Sequence, residues 1–163
     1  MDVSNISVTH QSLSNIELLL EHWSELEQNS DNRFFLSSAW IGTWLKAFSP
    51  TASVVYARVG SRVVGLGIFT VVKCRRHGFI APRTLRFHQT GVNAEDQIWI
   101  EYNDFLLLKG KEKAISCAIQ TYLIHQFDGW DEWASGALDE HSTLHVLTEQ
   151  FYPKEVWRSR HYG

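Results

Sequence analysis

A chain of 163 residues suits one domain of ordinary size, and its 44% hydrophobic and 13% aromatic residues can supply a sizeable core. The formal net charge of −3 excludes the large basic excess expected of a nucleic-acid binder, although Lys73, Arg75 and Arg76, and Arg83 and Arg86, form local basic clusters. Two cysteines, Cys74 and Cys117, occupy unlike contexts without a short spacing, so neither a disulfide framework nor a zinc site is expected.

The N-terminus, MDVSNISVTH, lacks the apolar run of a signal peptide. The longest apolar stretch, residues 63–72, is about half of what a membrane span requires. The expectation is a cytoplasmic protein with reduced thiols and no membrane or nucleic-acid partner. No internal repeat, low-complexity segment or linker is visible, which predicts a single domain over residues 1–163.

In chain order, residues 6–8 suggest an edge strand. Ser14 with Glu17 forms a capping box for a helix that carries Leu18, Leu19, Leu20, Trp23 and Leu26 and ends near Gln28. A second cap at Ser37 and Ser38 opens a helix over residues 39–48, stopped by Ser49 and Pro50. Its face of Trp40, Ile41, Trp44, Leu45 and Phe48 reads as core, with Trp40 or Trp44 as the alternative lining of a groove. Residues 53–59 and 62–72 are β-rich runs around Gly60-Ser61, a two-residue hairpin. Gly65 and Gly67 mark a bulge or a close backbone approach. A basic connection, residues 74–82, precedes a short strand over 84–89 and a loop over 90–95.

Residues 96–108, DQIWIEYNDFLLL, read as the central buried strand. Ile98, Ile100 and Tyr102 alternate with Trp99, Glu101 and Asn103 at the strand period of two, and an unbroken apolar run follows Asp104. After a Lys109-Gly110-Lys111 turn, a helix is predicted over 112–127. A strand over 130–134 comes next, then a helix capped by Asp139 or Ser142 and running to Tyr152, and a last strand over 155–160. The order predicts an α/β fold, a mixed sheet with helices on both faces.

This layout resembles the GCN5-related N-acetyltransferase fold, with a mainly antiparallel central sheet. FLSSAWIGTWLKAF followed by VVYARVGSRVVGLGIF, and LRFHQTG followed by DQIWIEYNDFLLL, are similar to the FemAB-like and cellulose-biosynthesis-associated acetyltransferase-like branch. The likeness runs from about residue 34 to about residue 138. Proteins of that branch usually carry two such domains in tandem, and this chain resembles the first. The resemblance implies either the N-terminal half of a longer protein or a free-standing relative.

It also implies transfer of an acyl group from acetyl-CoA or another acyl-CoA to a small-molecule or peptide amine, with no metal. Alternatives are a non-catalytic scaffold or recognition domain of the same fold, and an aminoacyl transferase that draws on charged tRNA, which the near-neutral charge counts against. The fold usually holds the donor pyrophosphate at a helix N-terminus, here Lys109, Gly110 and Lys111. The family's usual glycine-rich loop is absent. Solvated lysines at a helix start are the plainer reading.

Glu101 is the expected general base, its pKa raised by burial, with an ion pair to Arg83 or Arg86 as the structural alternative. Tyr102 is a general acid for the departing thiolate or a core tyrosine. Asn103 and Asp104 orient the acceptor amine or close the strand end. His88 is a second substrate-side candidate through a His–Glu relay with Glu101, against the plainer reading of a satisfied histidine. His141 and His145 have helical spacing but no third ligand, and read as adventitious.

Overall fold

The computed structural model describes residues 5–31, 33–74, 81–98 and 100–146. Strand β1 (Ile6–Ser12) leads to helix α1 (Ile16–Glu27), a short 3₁₀ turn (Phe34–Leu36) and helix α2 (Ser38–Phe48). Then come β2 (Ser53–Val59), β3 (Arg62–Lys73), β4 (Arg83–Phe87), β5 (Leu106–Leu107), α3 (Glu112–His125) and β6 (Glu132–Ala134).

Local rules place most of these elements. The cap of α1 falls one residue later than the sequence suggests: the Asn15 carboxamide oxygen accepts the Leu18 N–H at 2.9 Å. Leu19, Trp23 and Leu26, on one stripe of α1, are buried. The Ser37 hydroxyl accepts the Trp40 N–H at 3.2 Å and starts α2, which ends where Ser49 turns left-handed. Trp44 lies in the core, as expected of this face. The hairpin forms as predicted, with Gly60 at φ +61° supplying the turn.

The sheet runs β1-β2-β3-β4-β6, with β5 also paired to β3. Every pairing is antiparallel except β4 with β6. The fold is thus the mixed, mainly antiparallel α/β sheet that the sequence pattern predicts. Helix α1 packs toward Tyr56 and Leu66, whereas α3 covers the opposite face at Ala57 and Gly65. Gly65 marks a close approach: a Cβ there would stand 2.6 Å from the Ile115 side chain of α3. A one-residue register shift opposite Ala57 and Arg58 adds the bulge.

The central strand differs from expectation. Among the described residues of 96–108, only Leu106 and Leu107 lie in a strand. Strand β2 occupies one side of β3, so β4 and β5 share the other, pairing with residues 69–73 and 65–66 of β3 respectively. One strand path is therefore interrupted, and residues 88–105 leave it and return.

Two features override the alternating pattern. The Asp96 carboxylate accepts the N–H groups of Thr90 and Gly91 at 2.7 and 2.9 Å, pulling the chain into turns. Tyr102 adopts a left-handed conformation at φ +58°, which no strand can contain.

The Ser142 hydroxyl accepts the His145 N–H at 3.1 Å and caps a helix beginning at Thr143. The expected course of that helix to Tyr152, the strand over 155–160, most of the basic connection at 75–80, and Trp99 lie outside the described residues. Among the described residues, no helix is long and apolar enough to cross a membrane.

The packing at Gly65 generates a test. Gly65→Ala should destabilise the domain by about 1–3 kcal/mol through overpacking against Ile115, read as a lower urea midpoint. An unchanged midpoint would show that α3 does not press on this strand.

Candidate functional site: an acidic cavity beside β5

A cavity of about 300 Å³ opens beside β5, among the excursion, the α1–α2 connection, the start of α3 and the segment after β6. Phe105 and Leu107 line the cavity from the resumed strand path, Ser142 and Thr143 from the segment after β6, and Glu112 from the start of α3. The connection between α1 and α2 adds Asp31, Arg33 and Leu36, and the excursion adds Tyr102 and Asp104. Arg83 clamps the parallel pair by donating from its backbone and guanidinium to Asp131, the shortest contacts being 2.8 Å.

The lining is rich in carboxylates, and each has a defined role. Asp104 accepts the Phe105 N–H at 2.8 Å, the Thr143 N–H at 2.7 Å and the Thr143 hydroxyl at 3.0 Å. Burial pushes its carboxyl up, and these hydrogen bonds oppose that shift. It joins the excursion to the helix start across the cavity. Glu112 accepts the Gly110 N–H at 2.7 Å, so the free donor at that turn is already occupied by a carboxylate of the chain itself. Lys109 pairs with Asp31 at 2.6 Å, and both are well exposed. Such an exposed pair contributes little and leaves the lysine able to exchange partners. The Arg33 guanidinium donates to Asp139 at 2.7 Å and lies 4.8 Å from the centre of the Tyr102 ring.

The sequence-predicted residues divide into three groups. Tyr102 and Asp104 line the cavity. Lys109, Gly110 and Lys111 do stand at the start of α3, with Lys109 and Gly110 exposed. Glu101 is exposed rather than buried, is not in a strand and is not among the residues that line the cavity. The structure replaces the expected ion pair of Glu101 with Arg83 or Arg86 by Arg83–Asp131 and Arg86–Asp96.

His88 and Asn103 are fully buried and do not line the cavity. His88 meets Asn103 rather than Glu101. Its Nδ1–H donates to the Asn103 carboxamide oxygen at 2.8 Å, while its Nε2 accepts the Ile68 N–H at 3.2 Å. His141 lies beside Glu140 at the surface, and among the described residues no group of three His, Cys, Asp or Glu could hold a metal.

Asp31, Arg33, Glu112 and Thr143 escaped sequence reasoning. Glu112 had one local signal, an acidic residue in the first turn of a helix just after a glycine. The others come from elements distant in sequence.

Solved structures share this architecture over nearly the whole chain. Ribosomal-protein-alanine N-acetyltransferase from Brucella melitensis biovar Abortus 2308 is similar with a TM-score of 0.57 at 15% identity, covering 98% of this chain and 99% of that one. An aminoglycoside acetyltransferase from an uncultured soil metagenomic sample, in complex with trehalose, gives 0.57 at 11% identity over 99% of this chain and 97% of that one. The acetyltransferase AAC(6')-Iy, in complex with a CoA-S-monomethyl-acetylneamine bisubstrate analogue, gives 0.50 at 14% identity over 98% of each chain. No protein-family model matches the chain, and no curated protein matches its sequence. The chain has the acetyltransferase fold.

The buried histidine makes stability depend on pH. Burial lowers the His88 pKa from 6.5 to about 4, against the opposing pull of the Asn103 hydrogen bond. Between these values the unfolded chain binds the proton more readily than the folded one. The contribution of neutral His88 is full above pH 6.5 and is lost as pH falls toward 4, by about 3 kcal/mol in all. Urea midpoints between pH 7 and 4 should fall accordingly, and His88→Gln should flatten the slope. An unaltered slope in that variant would assign the titration to another group.

Proposed function

We propose that this chain is an N-acyltransferase-type domain that transfers an acyl group from an acyl-CoA donor to an amine. One observation supports the reading above the rest. In a fold shared with N-acetyltransferases, one cavity brings Tyr102 and Asp104 of the excursion together with Leu107 of β5, Glu112 at the start of α3 and Thr143.

In this reading the amine nitrogen attacks the thioester carbonyl carbon, the C–N bond forms and the C–S bond breaks. The amine proton passes to the Glu101 carboxylate, directly or through water, and the Tyr102 hydroxyl protonates the departing thiolate. Exposure suits Glu101 to this route, since the acceptor arrives from solvent. Lys109, Lys111 and the Gly110 N–H hold the donor pyrophosphate. For that, Glu112 releases the Gly110 N–H and Lys109 leaves Asp31. The carboxylates of the lining, Asp104 among them, attract a cationic amine.

The acceptor is a small-molecule or peptide amine, and a second acetyltransferase-like domain is a partner of the same reading. That finer assignment is supported by the FemAB-like pattern of residues 35–48, 54–69, 85–91 and 96–108.

A specific observation favours a second reading, a non-catalytic scaffold or recognition module. Glu112 takes the Gly110 N–H just ahead of α3, and Asp104 takes the Thr143 N–H, so each occupies a donor that a phosphate would use. Thermal denaturation with acetyl-CoA separates the two readings. A ligand at about 100 times its Kd should add about 2.7 kcal/mol, whereas no shift at millimolar donor would overturn the first reading and leave the second. Glu101→Gln should then abolish turnover at an unchanged Tm, and Tyr102→Phe should lower it by roughly 10²-fold or more. Full activity in either variant would remove that residue from its role.

A further inference from the structure

The break in the strand path leaves Ile68 of β3 without a strand carbonyl opposite its N–H. The His88 imidazole fills that place: Nε2 accepts the Ile68 N–H, and the His88 backbone N–H donates to the Ile68 carbonyl at 2.9 Å. With Nε2 an acceptor, the proton of neutral imidazole sits on Nδ1 and donates to Asn103. The Asn103 side-chain amide then donates to the Phe87 carbonyl at 3.0 Å, and its backbone N–H donates to the Ala137 carbonyl at 2.9 Å. One buried relay thus connects β3, the end of β4, the excursion and the segment after β6. The residues on either side of Asn103 are Tyr102 and Asp104, both of which line the cavity. Consecutive Cα atoms stand about 3.8 Å apart, so fixing Asn103 fixes both walls within one residue.

We infer that His88 and Asn103 are positioning residues for the cavity. They hold Tyr102 in its left-handed conformation beneath Arg33, and Asp104 against Thr143, without touching a ligand themselves. This goes beyond the acyltransferase reading, because the relay sets the shape of the cavity whatever the cavity binds. A histidine that merely packs would be replaceable by an aromatic ring of similar size. A histidine that positions through hydrogen bonds is replaceable only by a side chain that both accepts and donates.

Amide hydrogen exchange on the full chain distinguishes these cases. His88→Phe should raise exchange at Ile68 and in residues 101–105 by about tenfold or more while the rest of the β2–β3 hairpin changes by less than about threefold. His88→Gln, which keeps an acceptor and a donor, should restore most of the protection. Wild-type protection in His88→Phe would overturn the inference, as would an equal rise across the whole sheet. Should His88→Phe not fold, Asn103→Leu is read by the same criteria. A second readout rests on the acyltransferase reading: Asn103→Leu should weaken acetyl-CoA binding by about tenfold, and wild-type affinity in that variant would count against positioning. A wild-type protein that ignores acetyl-CoA overturns the acyltransferase reading instead, and exchange still decides the relay.

Discussion

A backbone N–H in the interior of a sheet must find an acceptor, because a bare one costs about as much as a lost buried hydrogen bond. Ile68 meets this constraint at the break between β4 and β5, and the His88 imidazole meets it with a side-chain nitrogen in place of a strand carbonyl. Much of the site's geometry follows from that substitution. The imidazole stays neutral and in one tautomer, Asn103 is the group its Nδ1–H meets, and the excursion departs and returns at fixed points. Trp23 of α1 lies against the His88 ring at a centroid distance of 5.9 Å and completes its enclosure. The left-handed backbone at both His88 and Tyr102 shows how far the chain departs from a strand to achieve this.

The electrostatics of the cavity have an internal logic. Two helix starts face the same hollow, and each would draw an anion through its free N–H groups. A carboxylate of the chain stands at each: Glu112 takes the Gly110 N–H just ahead of α3, and Asp104 takes the Thr143 N–H. These two differ in kind. Asp104 is half-buried, multiply bonded and part of the wall. Glu112 is a partly exposed surface side chain that holds one N–H, that of Gly110 two residues before it. Arg33, set between Asp139 and the Tyr102 ring, provides a cation among the acidic lining.

The legible parts of the chain were those governed by neighbours in sequence. The α2 cap at Ser37, the Gly60 turn, the amphipathic faces of α1 and α3 and the hairpin register all follow from side chains within a few residues of one another. Residues 96–108 misled for a physical reason. Their alternation is real, but the Asp96 side chain competes for the backbone ahead of them, and Tyr102 turns out of the extended region. Periodicity registers neither effect. Glu101 therefore emerges at the surface rather than in the core, and His88 finds Asn103, two residues further on.

The amino-acid sequence alone determined the class of fold, most of the order of its elements, and the turn at Lys109–Lys111. These depend on hydrophobic period, caps and glycines, which act over one or two turns of chain. Only the tertiary structure decided that the central strand is broken, that the α1–α2 connection supplies Asp31 and Arg33, and that Thr143 closes the far wall. Those facts depend on which distant backbone groups remain unpaired once the sheet has formed. Local sequence carries no record of that, because the unmet donor belongs to one strand and the side chain that satisfies it to another.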